Sequence, residues 1–306
     1  MDVSMPEPIP ARLETQLEAA WRVRQAHHAP RITFAYPVDT ALVSVTGARC
    51  ALDCAHCGGH YLQHMQPVEE AQVEGASSIL ISGGCDPQGR VPVLNALEQV
   101  AALRGAPGGA GAAGQNPGRK LNWHVGLIDE PTATALSPYV DAISFDVVGD
   151  RATIEECYGI DATPELYEQT YRMLRRHAHV VPHITIGLRG GALGHERPAM
   201  DMLARSGLDA LVLIVFIPTP HTRYADHAPP TVEQVAGLLA EARQRFPDVL
   251  LQLGCMRPRR AYRAQLDPLA VRAGVNVIVS PSREGKAAAE ALGLQVVQTR
   301  ECCVFS

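Results

Sequence analysis

Eight short apolar runs, each followed by a segment of helical periodicity, constrain the fold of this chain more than any other feature. The runs are 42–45, 78–82, 121–128, 142–148, 180–188, 210–217, 249–253 and 275–279. Most carry β-branched residues with little alternation, as strands buried on both faces do. Helical patterns lie between them at 68–74, 91–103, 164–177, 197–206, 231–246 and 268–273, with another at 286–292 and a shorter one around 131–139. Repeated β-then-α order implies a parallel sheet covered by helices, and eight repeats predict an α/β fold of the (β/α)8 TIM-type barrel kind. An open doubly wound sheet is the competitor. It needs about six strands and usually a Gly-rich first turn, and no GxGxxG follows the first run.

The barrel is expected over 41–293. Residues 1–40 are Pro-rich at both ends, and Leu13, Leu17, Ala20 and Trp21 between them fall at helical spacing, which predicts an N-terminal capping helix. Residues 294–306 begin as a strand and end in Cys302-Cys303, a C-terminal cysteine-containing tail expected to return to the barrel mouth. The Gly/Ala/Pro stretch 105–118 reads as a flexible surface insertion. A chain of 306 residues, 46% hydrophobic and 19% charged, buries a large core and is not disordered. Its net charge of −5 and the lack of any basic run beyond Arg257-Pro-Arg-Arg260 argue against a nucleic-acid binder. No apolar run approaches the roughly 18 residues of a membrane span, and the start lacks a signal-peptide layout. A cytoplasmic location is therefore expected, where the eight cysteines stay reduced and available for metal.

Three of those cysteines crowd behind the first run, in Arg49-Cys50-Ala-Leu-Asp-Cys54-Ala-His-Cys57-Gly-Gly. In a barrel this is the catalytic, C-terminal face. Three thiolates spaced C-x3-C-x2-C can bind three irons of a cubane and leave the fourth open to an exogenous chelator. The competing reading is zinc, with His60 or His64 completing a Cys3His site; structural zinc favours paired C-x2-C knuckles and closed coordination.

This loop, directly after the first strand of a (β/α) barrel, resembles the radical S-adenosylmethionine (radical SAM) superfamily. The resemblance implies a 4Fe-4S cluster on Cys50, Cys54 and Cys57, with S-adenosyl-L-methionine chelated to the open iron and cleaved to a 5′-deoxyadenosyl radical. His56 departs from the aromatic or hydrophobic residue usual before the third cysteine. Gly83-Gly84, ending the second run, looks like the element that meets the SAM amino group. The fifth run ends His183-Ile-Thr-Ile-Gly187-Leu-Arg189-Gly-Gly and looks like the element lying against adenine, with Arg189 a candidate partner of the SAM carboxylate. His124 and Asp146, near the ends of the third and fourth runs, are candidates for ribose or substrate contact.

The remaining cysteines extend the resemblance. Gly254-Cys255-Met-Arg-Pro, the Cys302-Cys303 end and Cys54-Ala-His-Cys57-Gly-Gly-His-Tyr-Leu look most like the two-component lipoyl synthases of the biotin synthase and lipoyl synthase branch. That likeness implies sulfur insertion into an unactivated C–H bond of an octanoyl chain. Cys255, Cys302 and Cys303, with Cys85 as a further candidate, would hold an auxiliary 4Fe-4S cluster whose sulfide is the donor. The partners implied are an octanoylated carrier protein (a lipoyl domain or H-protein), a second related radical SAM protein, and a ferredoxin or flavodoxin reductant. The auxiliary cysteines of ordinary lipoyl synthase precede the SAM loop, whereas here no cysteine lies before Cys50, and the C-terminal Arg-Ser-Ser-Tyr element is absent. A single-cluster rearrangement or methylation, and a non-catalytic metal-binding protein, are the alternatives. Cys157 reads as structural.

Overall fold

The computed structural model describes residues 9–105 and 118–305. The insertion read at 105–118 lies outside the described residues except for its two ends. The chain opens with α1 (Ala11–His27) and β1 (Arg31–Ala35). Next come β2 (Thr40–Ser44), a two-residue β3 (Gln66–Pro67), β4 (Ser78–Ser82) and α2 (Leu97–Arg104). Then follow β5 (Lys120–His124), α3 (Glu130–Leu136), β6 (Ala142–Asp146), α4 (Arg151–Tyr158), α5 (Pro164–Leu174) and β7 (Val180–Ile186). After these come α6 (Glu196–Ser206), β8 (Ala210–Val215), α7 (Val232–Arg245) and β9 (Leu250–Leu253). The chain finishes through α8 (Ala261–Arg272), β10 (Val277–Val279), α9 (Arg283–Ala291) and β11 (Gln295–Thr299).

The eight runs become β2 and β4–β10, all parallel and paired in sequence order. They do not close into the expected (β/α)8 ring. β1 pairs with β10 on one side and β11 on the other, so an eleven-stranded sheet runs from β11 to β3 with free edges. The segment assigned to the cap is thus partly sheet: Ile32 and Phe34 bury against the helices, and β1 occupies the place where β2 would have paired with β10. Helix α1 does cap the fold, with Leu13, Leu17 and Ala20 buried.

The helices follow local signals where those are strong. Thr231 and Gln234 form a reciprocal capping box at the start of α7. Asp150 accepts from Thr153 N–H at 2.7 Å and starts α4, a helix the periodicity did not reveal. Only a 3-10 turn, Val68–Glu70, stands where a helix was expected over 68–74. Helix α8 begins well before the expected 268 and carries Pro268 in its interior.

The tail corrects a second expectation. It does not return to the mouth at the strands' C-terminal ends but enters the barrel from the opposite end. Arg300 O accepts from Asp39 N–H at 3.0 Å, Cys302 N–H donates to Thr40 Oγ1 at 3.0 Å, and Glu301 pairs with Lys120 at 2.5 Å. Thr40 and Lys120 are first residues of their strands. Cys303 and Val304 pack among Ala35, Ala142, Val181, Val212 and Val277, inward-facing residues of strands far apart in the sheet. The sheet therefore curls around the tail, which fills the lower interior.

The loop after β9 is held by a buried ion pair. Arg257 and Asp267 are both fully buried, with Nε–Oδ1 at 3.0 Å and Nη2–Oδ2 at 3.1 Å, and Asp267 also accepts from Ser282 N–H at 2.7 Å. Breaking one side of such a pair strands a charge in the core. Asp267→Ala is expected to lower unfolding stability by about 3–5 kcal/mol in urea titration; a midpoint within error of wild type would refute a structural role for the pair.

Candidate active site

The cysteine loop starts one turn beyond β2, where Ser44 Oγ donates to Gly47 O at 2.6 Å. Backbones of three other segments hold it. Ala51 N–H donates to Cys85 O (2.9 Å), Ala55 N–H to Cys157 O (2.7 Å), and Tyr224 N–H to Ala55 O (3.1 Å). Within the loop, Gly58 N–H returns to Cys54 O at 2.9 Å. The three thiols feel one another. The Cys54 thiol donates to Cys57 and, with a backbone N–H at Gly59, draws the Cys57 pKa down to about 7. The same bond, burial and the charges of Cys57, Cys50 and Cys85 push Cys54 far up. Cys57 is thereby brought to titrate near neutral pH.

Gly83 and Gly84 have a packing role here beside the one expected of them toward SAM. A Cβ on Gly84 would overlap Arg49 O and sit 2.5 Å from Cys50 Cα; one on Gly83 would sit 2.8 Å from Val45 Cγ2. The space saved is taken up by the cysteine loop and its flanking strand. Gly84 N–H also donates to Thr46 Oγ1 at 2.7 Å.

Beside the loop lies a cavity of about 140 Å³, lined among others by Ser82, Gly83, Cys85, His124, Asp146 and Tyr158. Four of the sequence-predicted residues (Gly83, Cys85, His124 and Asp146) are thereby brought together. Cys85 stays a neutral thiol, pushed up to about 12 by burial and by the neighbouring Cys50 and Asp86 charges. The Asp146 side chain has no hydrogen bond or ion pair among the described residues, and its charge reaches His56, His124 and His183. Burial outweighs that charge and lowers all three histidines, His56 and His183 to about 4. They are neutral at pH 7. His183 Nδ1–H donates to Val181 O at 3.0 Å, which fixes its tautomer and leaves Nε2 as the acceptor. His124 and His183 lie with ring centroids 5.9 Å apart.

His56 is the residue sequence reasoning undervalued. Its ring stands edge-on to Tyr158 at 5.4 Å, and its buried Nδ1 has no partner among the described residues. His56 itself does not line the cavity, but the Tyr158 it stands against does.

Gly187 and Arg189 do not line the cavity. Gly187 has φ +72°, gives its N–H to buried Glu196 at 2.7 Å, and has Pro230 where a side chain would go. Arg189 pairs with Glu156 at 3.5 Å, and both are half-exposed. Cys157 is structural as expected, buried with its thiol 3.6 Å from Leu188 O.

A second thiol group occupies the barrel interior. Cys302 lies 3.8 Å from Asn122 Nδ2, and the Cys303 thiol with the Val304 N–H lowers its pKa to about 7. Burial and the Cys302 charge raise Cys255, which opens onto the interior after β9, and the charges of Cys302 and Cys255 both act on Cys303. Cys302 and Cys303 thus enter from the end opposite the first cysteine loop, while Cys255, exposed just after β9, stands at the mouth end above them.

Among the described residues no three His, Cys, Asp or Glu side chains converge on a point that could hold a single metal ion. A cubane spreads its cysteine ligands around a larger body, and three soft thiols on one backbone-clamped loop, one of lowered pKa, suit it.

No family model and no curated protein matches the sequence. Solved structures do. Methylornithine synthase (PylB) superposes with a TM-score of 0.65 at 14% identity, over 95% of this chain and 91% of that one. The FeFe-hydrogenase maturase HydG from Carboxydothermus hydrogenoformans gives 0.62 at 12% identity, over 90% of this chain and 65% of that one. Streptococcus suis SuiB bound to S-adenosylmethionine gives 0.52 at 12% identity, over 80% and 58%. The chain thus spans nearly all of the first and about three fifths to two thirds of the others. No described helix is long and apolar enough to cross a membrane. At these identities the likeness is one of fold: the chain shares an open, parallel α/β partial barrel with these proteins.

Proposed function

We propose that the protein is a radical SAM enzyme that inserts sulfur into an unactivated C–H bond, as a lipoyl synthase component acting on an octanoyl chain. The observation that carries the radical SAM reading is the clamped Cys50/Cys54/Cys57 loop at the C-terminal end of β2, beside a cavity lined by Gly83, His124 and Asp146. When bound, a 4Fe-4S cluster with SAM supplies the 5′-deoxyadenosyl radical that abstracts hydrogen, and a second cluster supplies sulfide to the carbon radical. Cys50, Cys54 and Cys57 would hold the first. Asp146, with the neutral His124 and His183 beside it, offers acceptors to hydroxyl or ammonium groups. The interior of the curled sheet would shield a reactive carbon from bulk water.

Sulfur insertion rests on the grouping of Cys255, Cys302 and Cys303, which would hold the second cluster in the barrel interior. Approach from below leaves the space between the two thiol groups to the substrate. The partners of this reading are an octanoylated carrier domain, a second related radical SAM protein and a ferredoxin or flavodoxin-type reductant. The fold likeness to methylornithine synthase over most of both chains favours a second reading. In it, a small-molecule synthesis uses the first site alone and the later cysteines only pack.

Three experiments test these statements. Anaerobically reconstituted protein with reductant is expected to release 5′-deoxyadenosine, and the Cys50/Cys54/Cys57→Ala variant none; equal release by both would overturn the radical SAM reading. Because the Gly84 side-chain space belongs to the loop, Gly84→Val is expected to lose most of its first-site iron along with SAM cleavage. Full iron with only weakened SAM binding would instead return Gly84 to the ligand. Cys302→Ala with Cys303→Ala is expected to lower iron and sulfide by about half, one of two clusters, retain SAM cleavage, and form no thiolated product. Wild-type iron content in that variant would support the second reading.

A further inference from the structure

Unpaired arginines concentrate at one sector of the barrel mouth. Around the helices, exposed arginines have carboxylate partners. Arg151 pairs with Glu155, Arg172 with Glu168, Arg176 with Glu130, Arg197 with Glu241 at 2.6–2.9 Å, and Arg245 pairs with Asp201. The loops after β9 and β10 differ. Arg259, Arg260 and Arg283 are exposed with no carboxylate in ion-pair range among the described residues. Arg263 gives its Nη2–H to Cys255 O at 3.0 Å, yet its buried Nε has no partner among the described residues. Like charges from Arg257 and Arg259 act on Arg263. The one buried carboxylate nearby, Asp267, is committed to Arg257, and Glu284 is the one acidic residue in the two loops. Arg49 and Arg223, also unpaired, stand on other parts of the mouth; away from it, Arg12 and Arg31 are exposed without a carboxylate partner among the described residues, and Arg24, Arg119 and Arg243 give their N–H groups chiefly to backbone carbonyls.

A protein of net charge −5 that leaves its guanidinium groups unneutralised around one opening holds a local positive field against its overall charge. Such a field selects an anionic partner and speeds its approach. A nucleic acid fits poorly: the aromatic ring in these loops, Tyr262, is half-buried with its hydroxyl given to Pro230 O at 2.8 Å, leaving no stacking platform. We propose that Arg259, Arg260, Arg263 and Arg283 form the docking surface for an acidic protein domain that presents the acyl chain to the barrel. This rests on the sulfur-insertion reading for the cargo, and it places the carrier directly over Cys255 at the entrance.

The test is binding first and turnover second. A fluorescently labelled, octanoylated lipoyl domain with acidic residues around the acylated lysine is titrated with reconstituted protein at low and high salt. Arg259→Glu with Arg260→Glu, neither of them a proposed cluster ligand, is expected to weaken binding about tenfold at low salt. The difference should shrink at high salt. Both proteins should cleave SAM equally and turn over a short octanoyl-lysine peptide equally. Equal affinity of variant and wild type for the domain, or no binding to the wild type, overturns the docking surface. So does tighter binding of a short oligonucleotide to the same arginines. Loss of peptide turnover in both proteins, with the affinity difference intact, would remove the sulfur-insertion reading and leave the docking surface standing.

Discussion

The contact that everything at the site depends on is a missing side chain. Gly84 lets the exit of β4 lie directly on the backbone of Arg49 and Cys50, closer than any other residue allows. That contact sets the first cysteine, and Ala51 N–H on Cys85 O extends the same seam. The end of α4 and the loop after β8 grip the other side through Ala55. Thiols that would repel one another once ionised are thus held by main-chain bonds from three directions. Main-chain bonds set position independently of side-chain rotamers, so the loop is organised without anything bound to it.

Much of the fold was legible because strands buried on both faces write themselves as β-branched runs. All eight runs are strands, and 78–82 matches β4 residue for residue. Closure was not legible. Whether β10 meets β2 or β1 depends on pairing across the whole chain, and Ile32-Thr-Phe34 between prolines looked like part of a cap. Asp150 three residues before Thr153 was a readable cap for α4, overlooked because the helix has a weak apolar stripe. At the site, spacing singled out Cys50, Cys54 and Cys57, and position at strand ends singled out His124 and Asp146, which the fold places on one cavity. The contacts of Gly187 and Arg189 with Glu196 and Glu156 were not legible, because they are set by the fold rather than by nearby sequence. The direction of the tail hangs on Thr40 and Lys120, which nothing near Cys302 announces.

The interior has two unlike walls. From β5, β6 and β7 come Asn122, Ser144, His183 and Asp146, with Ser144 Oγ donating to Asn122 Oδ1 at 3.0 Å. From β1, β8 and β10 come Ala35, Val212, Val277 and Val279. A polar head and an aliphatic chain can therefore be satisfied side by side. Burial keeps the histidines neutral, so the charge on this wall is that of Asp146.

The insertion of β1 between β10 and β11 also governs how the molecule assembles. Thr33 takes its register from Val277 and Val297, so the first strand-forming segment of the chain must wait for partners near the far end. Until they arrive, a stretch carrying Ile32 and Phe34 has no ladder on either edge, and contacts of such sequence separation slow folding. Meanwhile β2 to β9 can pair neighbour to neighbour as a growing sheet. The order of events is thereby written into the topology: a half-sheet first, with the N-terminal strand locked in last.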